Sequence, residues 1–189
     1  MIYFAIVAGI VACTGVTLCE ATCGELYGNQ ISQADKQTIV DMHNYLRSLI
    51  SQGKVPRQPQ GKNLRVMTWD NILAKEAQKI ANTCEFSHVK VYDQRFSVGQ
   101  NLGWTSSSAV SGNKEWQAVI QRWFDEHKDF RYPNVSKGVT GHYTQVVWAD
   151  THLVGCGFTW YRKNYWHEKL YVCNYGPAGN YIGQPPYRI

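Results

Sequence analysis

The sequence has no run of basic residues and no long apolar stretch beyond its N-terminus. Charged residues make up 17% of the 189 residues, and the formal net charge is only +5. A modest positive charge, with Lys and Arg scattered along the chain, is weak support for nucleic-acid binding, so we expect no nucleic-acid partner. We also expect no membrane span in the mature chain, because spanning takes about 20 consecutive apolar residues.

Signatures of hydrolytic catalysis are also missing. The chain contains no Gly-x-Ser-x-Gly element, the strained turn that exposes a nucleophilic serine in many hydrolases. The tripeptide Arg-Gly-Asp is absent as well, which removes one route to integrin binding. No internal repeat and no second domain are visible. The sequence therefore gives no direct sign of an enzyme.

The N-terminus begins with an apolar run from Met1 to Cys13, which is too short to span a bilayer and is followed by small residues near Ala21. We interpret residues 1–21 as a secretory signal peptide and residues 22–189 as one extracellular domain; a retained membrane anchor is the alternative. Four cysteines remain in the mature chain, and in an exported protein they predict two disulfides with three connectivities.

Apolar periodicity predicts three long helices. The first runs from Ser32 to Gln52, where Ser32 and Asp35 form a capping pair. The second is capped by Asp70 and carries Cys84 to the core, and the third spans residues 114–130. The segment Thr22–Gly28 has no pattern of its own, and we expect an irregular lead-in there.

Two alternating segments near the C-terminus, Val154–Trp160 and Lys169–Tyr175, predict an antiparallel hairpin with a loop at residues 161–168. A register that places Cys156 opposite Cys173 also pairs Phe158 with Tyr171, a favourable cross-strand contact. This register supports a Cys156–Cys173 disulfide. Elimination then leaves Cys23–Cys84.

The titratable residues look mostly structural from pattern alone. His43 lies on the apolar stripe of the first helix, which favours a buried, hydrogen-bonded histidine over a ligand, and Arg47 lies one turn further on. The pattern predicts an ordinary surface histidine at His88 and a solvated carboxylate at Glu126. Thr140 caps a short helix that carries His142 beside apolar residues, so that ring is held against the core.

Several ordered motifs resemble those of the cysteine-rich secretory protein, antigen 5 and pathogenesis-related 1 superfamily, known as CAP. Residues 141–151 and 170–181 resemble its two signature motifs, residues 43–47 its His-Asn-x-x-Arg motif, and residues 99–102 its Gly-Glu/Gln-Asn element. The motif residues that we take as structural are His43, Asn44, Arg47, Gln145, Trp148, Asn174, Tyr175 and Asn180. Within the superfamily the chain resembles arthropod antigen 5 proteins of venom and saliva, whose equivalents of Cys23 and Cys84 pair.

The resemblance implies an α+β fold, an α-β-α sandwich with a small antiparallel sheet between helical layers. It also implies a cleft formed by His88, Gln100, Glu126 and His142. Gln100 departs from the usual acid at its position, and an amide cannot act as an anionic ligand or general base. The set His88, His142 and Glu126 would bind Zn²⁺ weakly, with no cofactor required.

Three classes of function follow from the resemblance. Relatives bind sterols, fatty acids or eicosanoids in apolar grooves, and others act on haemostatic or immune targets of a host. A hydrolase that uses the His/Glu cleft is the alternative, and we disfavour it because the sequence offers no nucleophile. We expect no cysteine-rich C-terminal module of the kind that some relatives carry. Asn134 begins a sequon, Asn-Val-Ser, in an exposed loop and is our candidate glycosylation site.

Overall fold

The protein, described over residues 23–189 by a computed structural model, folds around a hairpin of two long strands. The helices of this part of the chain are α1 (Gln33–Ser51), α2 (Asn71–Ala81), α3 (Trp116–Asp125), which runs into a 3-10 turn at Glu126–Lys128, and α4 (Gly141–Val146). The strands are β1 (Glu25–Gly28), β2 (Thr68–Trp69), β3 (Gly99–Ser107), β4 (Phe130–Arg131), β5 (Val135–Ser136), β6 (Leu153–Lys163) and β7 (Trp166–Gly176). The signal peptide predicted at residues 1–21 lies outside the described residues.

The main sheet has the strand order β1-β6-β7-β3 and is antiparallel along this path. The short strand β2 joins the β6 edge in a parallel pairing, and β4 and β5 form a separate two-stranded sheet. The predicted register of the hairpin is confirmed, since Cys156 faces Cys173 and Phe158 faces Tyr171. Both predicted disulfides, Cys156–Cys173 and Cys23–Cys84, are also confirmed.

The sheet separates two hydrophobic clusters, which confirms the predicted α-β-α sandwich. On one face lie α1, α3 and α4, and there Trp116 of α3 packs with Phe158 of β6 and Tyr171 of β7 in the main core. On the other face α2 packs Ala77 and Ile80 against β6 and β7. Among residues 23–189, no helix is long and apolar enough to cross a membrane.

The α2 layer approaches the sheet unusually closely because two glycines of β6 face it. A Cβ placed on Gly155 would lie 2.2 Å from the backbone nitrogen of Ala74, and one on Gly157 would lie 2.4 Å from the carbonyl carbon of Ala77. Real side chains cannot occupy that space. The backbone of α2 therefore rests directly on the backbone of β6.

The predicted loop at residues 161–168 is wrong. The strands continue through most of it, and only Asn164 and Tyr165 form the turn. The polar residues had suggested a loop, yet Tyr161 and His167 are buried within this stretch, and the strand pairing continues to Lys163 and Trp166.

We expected an irregular lead-in, but residues 25–28 form the strand β1 and pair with the far end of β6. Glu25 faces Arg162 and Leu26 faces Tyr161. The free edge of an extended β6 supplies the hydrogen-bond partners, and the Cys23–Cys84 disulfide fixes the start of the strand. Neither cause is visible near residue 25 in the sequence.

The predicted helix caps are found for α1 and α2. Ser32 and Asp35 form a complete capping box, and the Asp70 side chain accepts the N–H of Leu73. The third helix is shorter than predicted, because its α-helical part is confined to residues 116–125 and the chain then tightens into the 3-10 turn. Thr140 is at the N-cap of α4, but its hydroxyl bonds Ser136 and makes no capping bond.

Candidate functional site

Glu126 and His142 meet where the 3-10 turn lies against the first turn of α4. One carboxylate oxygen is 2.6 Å from Nδ1 of His142, and the other accepts the backbone N–H groups of His142 and Tyr143 at 3.0 and 3.2 Å. Both side chains are about one-fifth exposed. Glu126 is therefore a fixed and largely buried acceptor, and it is not the solvated carboxylate that the sequence pattern had favoured.

The His142 ring lies over an aromatic side chain of α3. Its centroid is 6.1 Å from that of Trp123, with the two planes 18° apart. Trp123 is itself buried and donates from Nε1 to the carbonyl of Leu102 in β3. The imidazole is thus held by the carboxylate at one nitrogen and by the indole on its face. Pattern alone placed Trp123 in the core and gave no sign of this second role.

His88 is held in a comparable way by Gln100. The side-chain oxygen of Gln100 accepts hydrogen bonds from Nδ1 of His88 at 3.0 Å and from the N–H of Val89 at 3.1 Å. The amide nitrogen donates to the carbonyl of Val89 and to Oδ1 of Asn174. Gln100 therefore uses both ends of its amide to fasten the segment around His88 to the sheet.

The two histidines are tied to consecutive residues of the edge strand β3. Gln100 binds His88, and the side chain of Asn101 donates to the carbonyl of His142 at 3.1 Å. Side chains of consecutive strand residues point to opposite faces of a sheet, so the two histidines approach the β3 edge from its two sides. The structure thus gathers all four predicted cleft residues around one strand edge.

Behind this edge a buried polar group supports the site. His43 is fully buried, with Nδ1 bonded to the carbonyl of Ile39 and Nε2 to the hydroxyl of Tyr175, which also accepts from Asn101. Burial lowers the pKa of His43 to about 4 and raises the pKa of Tyr175. The ring is neutral at physiological pH, and His43 connects α1 to the sheet without reaching the cleft.

Arg47 organises the segment that follows α4. Its guanidinium donates to five backbone carbonyls, which belong to Arg65, Val146, Trp148, Ala149 and Thr151. Burial, with a smaller contribution from Arg65, lowers the pKa of Arg47 to about 10. A buried guanidinium is tolerated here because its donors are satisfied by carbonyl oxygens.

The remaining motif residues connect segments that are distant in sequence. Asn44 bonds both backbone groups of Met67, and Asn174 donates to the carbonyl of Leu73 in α2. Gln145 is buried and accepts the N–H of Gly179, while the exposed Asn180 donates to the carbonyl of Gly141. Trp148 packs beside Tyr181 and is 5% exposed. Together they fasten the ends of both signature motifs.

In each histidine one ring nitrogen is tied to an acceptor and the other is presented, an arrangement that suits a metal ligand or a general base. A carboxylate oxygen and an amide oxygen only accept, so Nδ1 is the donor in both histidines, which leaves each neutral ring with a lone pair at Nε2. Neither Nε2 atom has a hydrogen-bond partner within residues 23–189. No serine, threonine or cysteine of this part of the chain bonds either ring, and the four cysteines are oxidised.

The predicted three-ligand metal set is not assembled as such. Within residues 23–189 no three His, Cys, Asp or Glu side chains are grouped to hold a metal ion. Glu126 already accepts from His142, so it orients that ring and does not stand beside it as a free ligand. Two imidazole nitrogens alone would be a weak donor set for a divalent ion.

An α-β-α sandwich with two histidines, a glutamine and a glutamate at one strand edge defines a CAP domain. The chain belongs to the cysteine-rich secretory protein family, CAP, whose family model matches residues 40–175.

Within that family, the chain is 40% identical to the salivary antigen-5 of Dipetalogaster maximus, over 84% of this chain and 67% of that protein. It is also 40% identical to venom allergen 5 of Rhynchium brunneum, over 88% of this chain and 78% of that protein. The crystal structure of NaASP2 with Zn²⁺ superposes with a TM-score of 0.68 at 28% identity, covering 84% of this chain and 87% of that one. The chain is therefore similar to antigen 5 proteins.

Proposed function

We propose that the protein is an extracellular, non-enzymatic antigen 5-type component of venom or saliva that acts by binding. The observation that carries this proposal is the make-up of the cleft: each histidine has one nitrogen tied to a fixed acceptor, and neither ring has a hydroxyl or thiol to activate. Nucleophilic hydrolysis needs a nucleophile within hydrogen-bond reach of its base. Two disulfides and the salivary and venom relatives support an extracellular location.

The test of the non-enzymatic role is a direct assay. Purified protein is incubated with a peptide library and with ester substrates, with and without Zn²⁺, beside the variant His142→Ala. We expect no turnover that depends on His142. Cleavage that the wild type performs and His142→Ala loses would overturn the proposal in favour of a hydrolase that uses the His/Glu cleft.

For a small amphipathic ligand, such as a fatty acid, eicosanoid or sterol, the best-suited surface is a groove between α1 and β2. Its volume is about 340 Å³, and Val40 and Trp69 line it together with polar residues of α1. The ammonium of Lys36 lies 5.6 Å from the centroid of the Trp69 ring. Two apolar side chains beside a cation would suit a short acyl chain that ends in a carboxylate.

Lipid analysis of the purified protein tests this groove. We expect a co-purifying fatty acid, eicosanoid or sterol that is lost from Trp69→Ala and, for an acid, reduced in Lys36→Gln. The matched control is Lys75→Gln, which removes an exposed cation from α2. A protein free of lipid that also fails to bind added ligand would shift the proposal to host haemostatic or immune targets.

Divalent metal binding at the cleft is a second candidate, favoured by the two free Nε2 atoms. We expect weak Zn²⁺ binding in calorimetry that is abolished by either His88→Ala or His142→Ala and unchanged in His152→Ala. A heat that is the same in all four proteins would place any zinc elsewhere. The zinc named with the related NaASP2 crystal structure makes this measurement worthwhile.

Asn134 remains our proposed glycosylation site. Its side chain is exposed between β4 and β5. Mass spectrometry of the protein from a secreting host, beside Asn134→Gln, measures the occupancy.

A further inference from the structure

A stretch of chain without acidic residues lies between α1 and α2. From residue 42 to residue 69 the sequence contains five cations and no aspartate or glutamate. One cation, Arg47, is buried, and the other four are Lys54, Arg57, Lys62 and Arg65. All four are exposed on one loop, which we call the basic loop.

The basic loop is irregular but firmly anchored. Every third residue faces the protein: Val55, Gln58, Gly61 and Met67 are buried, and Leu64 is half-buried. Side-chain and backbone bonds fasten the loop, since Gln58 donates to the carbonyls of His127 and Phe130 and the N–H of Gly61 donates to the carbonyl of Ile50. The cations occupy positions between these anchors. Their backbone is therefore anchored, and their side chains are exposed.

The C-terminal segment adds a fifth cation beside this surface. The N–H of Lys62 donates to the carbonyl of Arg188 at 2.8 Å, and the N–H of Arg188 donates to the side chain of Asn63 at 2.7 Å. Asp150 lines a cavity at the same edge together with Asn63 and Arg188. It forms no ion pair with Arg188 or with Lys62. None of the seven ion pairs within residues 23–189 involves the basic loop or Arg188.

An uncompensated group of five cations attracts an external anion, because like charges held close together repel one another until a counter-charge arrives. The modest net charge had argued against a polyanion partner, since the cations are scattered along the sequence. Lys54, Arg57, Lys62 and Arg65 nevertheless fall within twelve residues that contain no acid, and the fold brings Arg188 to the backbone of Lys62. The loop therefore offers a local field that the total charge does not reveal.

We infer that the basic loop, with Arg188, binds a sulfated polysaccharide. Residues 52–66 contain no aromatic side chain on which a nucleic-acid base could stack. Val66 is the one large apolar side chain strongly exposed on this stretch, so there is no apolar face to enter a membrane. A track of Lys and Arg with fixed backbone suits the repeated sulfate and carboxylate groups of a polysaccharide, and the guanidinium groups bind sulfate oxygens in pairs.

The experiment measures binding of a heparin-derived octasaccharide to the purified protein at several salt concentrations. The test variant carries Lys54→Gln, Arg57→Gln, Lys62→Gln and Arg65→Gln. The control variant carries Lys75→Gln, Lys90→Gln, Arg122→Gln and Arg162→Gln, which removes the same number of exposed Lys and Arg elsewhere. We expect the test variant to lose about 100-fold in affinity at 0.15 M salt and the control to lose less than about threefold.

The dependence of affinity on salt gives a second readout. Each phosphate-like contact that is lost lowers the slope of log affinity against log salt by about one unit, so the test variant should show a much shallower slope. Circular dichroism checks that both variants fold. If the fourfold variant does not fold, the pairs Lys54→Gln with Arg57→Gln and Lys62→Gln with Arg65→Gln each carry the test.

Three results would overturn the inference: no octasaccharide binding by the wild type, equal losses in both variants, or equally tight binding of single-stranded DNA or phosphatidylserine vesicles. The inference rests on the extracellular location proposed above but not on the cleft. A protein carrying His88→Ala and His142→Ala should bind the octasaccharide like the wild type. Failure of the cleft proposal and failure of this one are therefore distinguishable.

Discussion

The Glu126 carboxylate holds His142 at two points, the ring nitrogen Nδ1 at 2.6 Å and the backbone N–H at 3.0 Å. One side chain thus sets both the direction of the imidazole and the start of α4. The cleft histidine is positioned before any ligand arrives, and its Nε2 faces away from the carboxylate.

Replacing the acceptor should weaken metal binding more than it weakens the fold. In Glu126→Gln the amide NH₂ cannot accept, so one of the three hydrogen bonds is lost. If the cleft binds Zn²⁺, we expect its affinity to fall by about 10- to 100-fold in calorimetry. The free energy of unfolding in urea should fall by about 1–2 kcal/mol. Asp125→Asn, at the neighbouring residue, is the control, and an unchanged Zn²⁺ affinity in Glu126→Gln would contradict the orienting role.

Gln100→Glu should create a pH-dependent cost. The new carboxylate oxygen would face the carbonyl of Val89 and Oδ1 of Asn174, two atoms that accept from the present amide. We expect about 1–3 kcal/mol of destabilisation at pH 7. Protonation restores a donor, so the folded state raises the carboxyl pKa and the loss should shrink as the pH falls towards 4.5.

Urea unfolding at pH 4.5 and pH 7 measures this effect. Gln184→Glu serves as the control, because Gln184 is exposed and its side chain makes no hydrogen bond within the described residues. A stable Gln100→Glu variant with no pH dependence would show that Val89 and Asn174 rearrange freely around the cleft.

Removal of the Arg47 guanidinium should destabilise the fold more than any of the other single substitutions. In Arg47→Met five backbone carbonyls lose their donor, and all but one of these carbonyls belong to residues 146–151. We expect a loss of about 3–5 kcal/mol in the free energy of unfolding. Arg131→Met, at an exposed arginine, should change stability by less than about 0.5 kcal/mol. Similar losses for both would refute the anchoring role.

His43 should make the fold sensitive to acid. Its pKa is about 4 in the folded protein because of burial, against 6.5 for a free histidine. Between these values the unfolded chain binds a proton that the native state does not, so stability falls as the pH drops from 6.5 to 4, by up to about 3 kcal/mol. Above pH 6.5 this contribution is constant.

Urea unfolding at several pH values measures the acid effect. Unfolding free energies across pH 4–7 should have a shallower slope for His43→Gln than for the wild type. Parallel profiles for His43→Gln and the wild type would mean that other groups dominate the acid response.

Local signals were sufficient to predict the parts of the fold that depend on near neighbours. Ser32 and Asp70 cap their helices as the pattern indicates, and the hairpin register follows from the pairing of Cys156 with Cys173 and its neighbours. Strand β1 escaped prediction because its partner lies more than 130 residues away in sequence, and strand pairing over such a distance leaves no local pattern.

The candidate site was harder to predict from the sequence pattern, and the reason is the same. The sequence pattern indicated a solvated Glu126, but in the structure it is bonded to His142 of α4. The pattern showed no partner for His88, and in the structure Gln100 of β3 bonds its ring. Only the resemblance to CAP proteins singled these residues out. The basic loop was missed for a different reason: its charges are spaced by buried anchors, so a scan for consecutive basic residues does not detect it.

The glycine pair of β6 has a consequence for how the sandwich tolerates change. Where α2 rests on Gly155 and Gly157 no side chain separates the two backbones, so that layer spacing cannot adjust to a larger residue. On the opposite face, bulky aromatic side chains fill the gap and can repack around a substitution. The domain thus has one fixed layer and one adaptable layer, and the cleft histidine His142 belongs to the adaptable one.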